Sequence, residues 1–325
     1  MKENKMNKNC TLCTLAETGE LLRKAKHLVI VSHISPDGDT LGSSLALMHA
    51  LRSLGKTVIL NVDDDIPDVY TFLPGIREYR RFAPEETIKT DLLVIIDASS
   101  ADRAGNSMQV VKASAVVNID HHKTNTRFAD YLYLDEKAAA TAEIMYSLLQ
   151  EMKIGLNTDM ATCLYTGLYT DTGSFKYSNT TSRTLETAAA LLNYGVNPGM
   201  VSDNMEIKSR KQIEMLGRIL DTLTFLHDGK VAYVEIAPEL YDHNIDTDTF
   251  VSYPRYIEGV EIALLFKQVE DNLTRVSFRS KSIDVAKIAL TFDGGGHQKA
   301  AGCSIHAPLA EAKKVILREL EGLFV

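Results

Sequence analysis

The sequence predicts an α/β fold in two parts. An N-terminal domain with a mostly parallel sheet flanked by helices precedes a smaller C-terminal α/β domain with a mixed sheet. Three observations carry this expectation. At 325 residues, the chain is long enough for two hydrophobic cores. Over the first ~190 residues, short apolar runs alternate with helical patterns, which favours parallel strands joined by crossover helices. The last ~100 residues are richer in alternating strand patterns.

In chain order, the first strands are expected at Leu28–Val31, Thr57–Val62, Leu92–Ile96 and Ala115–Ile119. Each is a run of mostly Val, Ile or Leu, short enough for a strand and apolar enough to be covered on both faces. Leu41–Leu54 has apolar residues at helical spacing, and Gly55 stops it. Ala138–Met152, Asp159–Thr170 and Thr184–Asn193 are further helices, the last ended by Gly195. From Gly195 to Arg210 the chain turns polar around Asn197-Pro198-Gly199, the composition of a linker. The boundaries expected are therefore 1–195 for the first domain, 196–212 for the linker and 213–325 for the second domain. Lys211–Leu226 reads as one helix, followed by strands at Val231–Ile236, Val260–Gln268 and Thr274–Ser280. A helix at Val285–Phe292, a glycine run, a strand near Gly302–His306 and a helix at Leu309–Leu323 complete the order.

Composition narrows the function classes. Apolar residues make up 45% and charged residues 24%, as in ordinary globular proteins. No stretch approaches the length of a membrane span. The charged segment Met1–Asn9 is followed by no apolar signal core, so a cytoplasmic location is expected. A net charge of −8 argues against a broad basic surface for long duplex nucleic acid, but a small phosphorylated ligand can bind through local cations and metals. Four cysteines imply no disulfide framework. Cys10-Thr-Leu-Cys13 has the spacing of a zinc knuckle but lacks two further ligands at matching spacing.

The chemistry concentrates where strands end. His33, Asp37 and Asp39 follow the first strand, Asp97 ends the third, and Asp120-His121-His122 ends the fourth. Asp171 closes the helix Asp159–Thr170. The C-terminal ends of parallel strands face one crevice, where open α/β sheets bind ligands. Pro36 and Gly38 suit a tight loop that turns both neighbouring aspartates back toward the strand end. Each group alone has an ordinary role as a cap or turn residue. Together, so many carboxylates cannot all stay ionised without compensating cations. Carboxylates mixed with imidazoles suit Mn²⁺, with Mg²⁺, Co²⁺ or Zn²⁺ as alternatives. Gly294-Gly295-Gly296-His297 is either a flexible turn or a place where backbone N–H groups approach a ligand closely. It is not a P-loop, because no Gly-Lys-Ser/Thr follows.

This ordered set resembles the four motifs of the DHH phosphoesterase superfamily. The Gly294–His297 run resembles the signature of its accessory DHHA1 domain. The resemblance runs from about Leu22 to Phe324 and is most similar to the short bacterial oligoribonuclease/pAp phosphatase group. It implies two Mn²⁺ ions, with Mg²⁺ or Co²⁺ as substitutes. His33 and Asp37 would hold the first, Asp39, His121 and Asp171 the second, and Asp97 would bridge them. His122 would contact the scissile phosphate, and Asp120 would orient the histidines. Arg279 would bind a substrate phosphate, beside Gly294, Gly295, Gly296 and His297. One departure stands out: Asp97 is followed by Ala98-Ser99, where members often have a hydroxyl directly after the aspartate. His306 has no role in this scheme.

The resemblance implies a phosphohydrolase that degrades short oligoribonucleotides to 5′-mononucleotides and converts 3′-phosphoadenosine 5′-phosphate (pAp) to AMP. Cleavage of cyclic di-AMP, or of its linear product pApA, uses the same centre. A nucleotide-binding module without catalysis is the non-enzyme alternative, although no ligand position is missing. A pyrophosphatase is ranked lower because that group has a different C-terminal domain. Exonucleases of the RecJ type are longer. The substrate is expected to be short, held by metals on one domain and a base and phosphate pocket on the other. A homodimer is one candidate assembly, and the sequence does not fix the oligomeric state.

Overall fold

The apolar runs of the first half form the centre of a parallel sheet. In the computed structural model, which describes residues 10–242, 245 and 247–323, the chain divides into a unit ending at Ile207 and another starting at Lys208. Met1–Asn9 and Phe324 lie outside the described residues. The elements of the first unit are β1 (Thr11–Leu12), α1 (Leu15–Lys24), β2 (His27–Ser32), α2 (Gly38–Ser53), β3 (Thr57–Asn61), β4 (Tyr79–Arg80) and β5 (Ile88–Ile96). They continue as α3 (Ser107–Val110), β6 (Val111–Asp120), β7 (Tyr131–Leu134), α4 (Thr141–Glu151), α5 (Thr158–Asp171), α6 (Ser182–Leu192) and α7 (Pro198–Glu206).

The seven strands lie in the order β1-β7-β6-β5-β2-β3-β4, and every pairing is parallel. From β2 the chain steps outward to β3 and β4, then returns to the other side of β2 as β5 and proceeds to β6 and β7. The direction of winding thus reverses between β2 and β5. Such a switch point leaves a crevice beyond the strand ends.

Strand alternation sorts the core. Leu28 and Ile30 face the cluster packed by α1, α2, α4 and α5, whereas Val29 and Val31 face a smaller cluster with Leu93, Ile95 and Phe82. Leu41, Leu45 and Met48 of α2 are fully buried, each contributing about 1.5–3 kcal/mol through burial. Helices α2 and α5 approach closely because glycines face the contact. A Cβ on Gly42 would lie 2.2 Å from the Cys163 carbonyl oxygen, and one on Gly167 would lie 2.9 Å from Asp39 Oδ1.

Three expectations change. Helix α2 begins at Gly38 rather than Leu41, so Asp39 lies in its first turn instead of a loop. The cause is Asp37, whose carboxylate accepts from the N–H groups of Asp39 and Thr40 as the N-cap. Residues Pro198–Glu206, inside the stretch expected to be a linker, form α7 with Asn197 as cap and Pro198 in its first turn. Lys211–Leu226 is not one helix. Helix α8 (Arg210–Leu220) ends there, and Thr224–Leu226 forms strand β8. The Thr222 hydroxyl, which donates to Ile219 O and accepts from Glu235 N, fixes that break. Cys10 and Cys13 are free thiols flanking β1, a two-residue edge strand on β7.

The second unit continues with β9 (Val231–Ile236), α9 (Ser252–Arg255), β10 (Ile262–Glu270), β11 (Leu273–Ser280), α10 (Val285–Leu290), β12 (Gly295–His297), β13 (Ala300–Ile305) and α11 (Leu309–Glu321). Its six-stranded sheet runs β12-β13-β11-β10-β9-β8 and is mixed, with only the β9–β10 pairing parallel. One face packs Phe266, Val276 and Phe278 against helices α10 and α11; the other packs Val234, Ala263 and Leu265 near α8.

Candidate metal centre

Five separate elements deliver the polar cluster of the first unit. His33 follows β2, Asp97 follows β5, and both lie at the switch point. Asp37 and Asp39 come from the start of α2, His121 and His122 from the end of β6, and Asp171 from the last residue of α5. Asp97 adopts a left-handed backbone conformation (φ 59°), which aspartate tolerates better than branched residues. Its N–H bonds to Ile119 O at 2.9 Å, so the turn remains tied to β6.

Asp97 holds the cluster together. Its Oδ2 is 3.5 Å from His33 Nε2, and its Oδ1 is 3.5 Å from His121 Nε2. His33 Nε2 is in turn 3.6 Å from Asp37 Oδ2, and His121 Nε2 is 3.4 Å from Asp171 Oδ2. Two ligand groups result: His33, Asp37 and Asp97, and Asp39, His121 and Asp171, each with donor atoms within 4.8 Å of one another. A third group, Asp97, His121 and His122, satisfies the same spacing. However, His122 Nδ1 is engaged by Asp120 Oδ1 at 2.7 Å, leaving its Nε2 for other work.

The surroundings orient these donors. His33 Nδ1 lies 2.8 Å from Ile34 O and 2.9 Å from an Arg103 nitrogen. The Arg103 guanidinium can only donate, so it cannot bond Nδ1 while Nδ1 donates to the carbonyl; with the carbonyl as partner, Nε2 is the lone-pair atom facing the carboxylates. His121 Nδ1 is 3.2 Å from Ala138 O, which selects the same tautomer. Asp39 accepts from the N–H groups of Thr141 and Ala142 at 2.6 and 2.8 Å, at the N-terminus of α4. The Thr141 hydroxyl donates to Asp97 Oδ1 at 2.9 Å. Asp97 thus receives a hydroxyl from Thr141 rather than from its own successor, the buried Ala98. Asp120 is fully buried; it accepts from His121 N–H and His122 through Oδ1 and from Asn125 through Oδ2. Thr141 and Asn125 carry no motif signal, since neither belongs to a strand-end run.

The electrostatics call for cations. Asp39 and Asp97 are 0% and 2% exposed, and among the described residues no lysine or arginine pairs with Asp37, Asp39, Asp97 or Asp171. Burial, reinforced by Asp97, Asp171 and Asp37, raises the Asp39 carboxyl well above the usual range. Burial with Asp97 and Asp37 does the same to Asp171. Burial opposes charge on His33, yet hydrogen bonds and charges from Asp37 and Asp97 prevail and push its pKa up to about 10. The His122 imidazole is raised chiefly by its hydrogen bond to Asp120. Divalent ions would replace the protons that such a cluster otherwise keeps. Carboxylates and imidazoles with these tautomers fit that role.

In the second unit, Arg279 lies on β11 directly opposite Ala300 of β13, which in turn pairs with His297 of β12. Directly paired residues share a sheet face, so Arg279 and His297 flank the small Ala300 on one face. Arg279 is half-buried and donates to Phe278 O. The glycine run is part of an edge hairpin. A Cβ on Gly294 would meet Gly302 O at 2.3 Å, whereas Gly295 meets nothing within 4 Å.

Comparison with known proteins agrees with this division. The DHH family N-terminal domain matches residues 27–168, and the DHHA1 domain matches residues 228–325. The bifunctional oligoribonuclease and PAP phosphatase NrnA of Thermus thermophilus is 35% identical over 86% of this chain and 84% of its own. The NrnA of Bacillus subtilis is 28% identical over 91% and 94%. A crystal structure of an exopolyphosphatase-related protein from Bacteroides fragilis superposes with a TM-score of 0.85 at 26% identity, covering 95% and 97% of the two chains. With two domain matches in order and a relative this similar over most of both lengths, the chain belongs to the DHH phosphoesterase family, in the form that carries a C-terminal DHHA1 domain.

Proposed function

We propose that this protein is a cytoplasmic, Mn²⁺-dependent phosphohydrolase that shortens oligoribonucleotides to 5′-mononucleotides and converts pAp to AMP. The single observation that carries the reading is the division of Asp97: one carboxylate oxygen faces His33 and the other faces His121. A carboxylate so placed suits a bridge between two ions. His33 and Asp37 are assigned to one ion, and Asp39, His121 and Asp171 to the other. Two bound divalent cations supply charge neutralisation and water activation for in-line displacement at phosphorus.

The chain's own residues do the rest. His122, fixed through Nδ1 by Asp120, directs Nε2 toward the scissile phosphate and offsets charge developing on its oxygens. Its raised pKa favours the protonated, donating form. Asp120 touches no reacting atom in this scheme; it is a positioning residue. Residues 1–195 are assigned to catalysis, 196–212 to the connection, and 213–325 to substrate recognition. Arg279, Gly294, Gly295, Gly296 and His297 are assigned to the substrate's phosphate and base, where the guanidinium fork and free backbone N–H groups suit anionic oxygens.

A side-by-side Mn²⁺ assay tests the proposal. It compares pAp, pApA, longer oligoribonucleotides and cyclic di-AMP, with products resolved by chromatography. AMP from pAp and from short oligomers is the expected result. Exclusive cleavage of the cyclic dinucleotide would move the assignment to that substrate, and no metal-dependent release from any of them would leave a binding module.

A further inference from the structure

The sheet face that packs Ala263 and Leu265 against α8 continues onto β11 beyond that core, where it carries Arg279. Alternation along β11 puts Arg275, Ser277 and Arg279 on one face. Their cross-strand neighbours extend three rows. Arg279 lies beside Ala300 and His297, Ser277 beside Gly302 and Gly295, and Arg275 beside Lys267 and Ser304. The middle row is made of small residues on its outer strands, so it forms a floor between two polar ends. At the far end a cavity of about 460 Å³ opens, lined by Arg275, Ser277, Ser304, His306 and Asp293, with Lys267 and Asp248 at its side. That volume suits one nucleotide.

The lining has unused binding capacity. Arg275, His306 and Ser304 are exposed, and none of their side chains makes a hydrogen bond or ion pair among the described residues. Lys267 donates to Thr247 and Asp248 at 3.1 and 2.9 Å, so that carboxylate is already matched. Asp293, held in a left-handed turn before Gly294, is an acceptor for ribose hydroxyl or base amino donors. Phe292, packed against the core behind the sheet, closes the cavity's apolar edge. A cation fork, an imidazole and two hydroxyls beside one acceptor make a nucleotide-shaped set of contacts, not merely a patch for a simple anion.

We propose that this pocket binds a distal nucleotide of the oligonucleotide substrate, with Arg275 and His306 on its phosphate; the inference rests on the oligoribonuclease reading given above. Four residues of strand separate Arg275 from Arg279, roughly 13 Å at the usual rise. The two phosphates of pAp share one ribose and cannot span that distance, whereas a trinucleotide can. The pocket therefore reads substrate length.

The test is steady-state kinetics of the full-length Mn²⁺-loaded protein on pAp, pApA, pApApA and pApApApA. The substitutions are Arg275→Ala with His306→Ala, and Arg275→Lys with His306 intact. For the double substitution, KM for the tri- and tetranucleotide rises about tenfold or more at unchanged kcat, while the kinetics on pAp move less than twofold. Arg275→Lys recovers part of the loss. Equal losses on pAp and the tetranucleotide, or no change at any length, overturn the proposal while wild-type turnover still upholds the enzyme. Weakened inhibition by free AMP with an unchanged oligomer KM also overturns it, in favour of a mononucleotide site. Absence of wild-type turnover on every substrate is a different outcome and removes the enzyme reading itself.

Discussion

Thr141→Val should weaken metal binding without disturbing the fold. Thr141 is fully buried in the first turn of α4, and its hydroxyl donates to Asp97 Oδ1 at 2.9 Å. Valine keeps the branched shape and removes only that donor. The backbone N–H of residue 141, which serves Asp39, stays in place. A hydrogen bond to a charged acceptor contributes about 1.5–3 kcal/mol net. At ~1.36 kcal/mol per decade, that corresponds to roughly 10- to 150-fold in the apparent Kd for Mn²⁺, in line with the ~10–100-fold typical of residues that orient metal ligands. Calorimetric titration with Mn²⁺, paired with the Mn²⁺ dependence of the initial rate, measures it. Thr141→Ser, which keeps the hydroxyl, should lie within a few-fold of wild type. An apparent Kd for Thr141→Val within twofold of wild type would refute the role given to this hydroxyl.

Three further predictions follow from the same geometry. Gly167→Ala drives a Cβ to 2.7 Å from Ala142 Cβ and 2.9 Å from Asp39 Oδ1; it should cost about 1–3 kcal/mol in denaturant unfolding, whereas Gly217→Ala in α8, which meets no atom within 4 Å, should be neutral or stabilising. Because His33 has a pKa pushed up to about 10, and because Asp39 and Asp171 are also raised, metal binding must expel protons. Apparent Mn²⁺ affinity should therefore rise between pH 6.5 and 8.5 by ~10-fold per unit for each proton released, and a flat profile by calorimetry contradicts this. Asp120→Asn removes the main cause of the raised His122 pKa, so imidazole NMR titration of the metal-free protein should move toward the ordinary histidine value; an unmoved midpoint places the cause elsewhere.

The central strands and the strand-end groups were legible because both signals are local. Leu28–Val31 and Leu92–Ile96 are buried on both faces and therefore continuously apolar, and carboxylates or imidazoles after several such runs in order form a joint pattern that cap and turn roles do not require. Strands β1, β4 and β7 carry no sequence signal because two to four residues are too few to show periodicity. Lys211–Leu226 looked like one helix because strand β8 continues its apolar spacing; only the tertiary bond from Glu235 N to Thr222 shows the break. The N–H groups that hold Asp39 are 102 and 103 residues away in sequence. Gly42 and Gly167 gain meaning only once α2 and α5 touch. The proximity of His306 to Arg275 follows from the β11–β13 register and carries no local sequence signal.

Replacing Asp97 tests the account most directly. The measurement is the initial rate of pAp hydrolysis at saturating Mn²⁺ for Asp97→Ala and wild type, with circular dichroism to establish that both are folded. Loss of the shared carboxylate should lower the rate by roughly 10³-fold or more, about 4 kcal/mol of transition-state stabilisation. A folded Asp97→Ala protein that turns over pAp within tenfold of wild type would contradict the claim that this residue joins the two ligand groups into one catalytic centre.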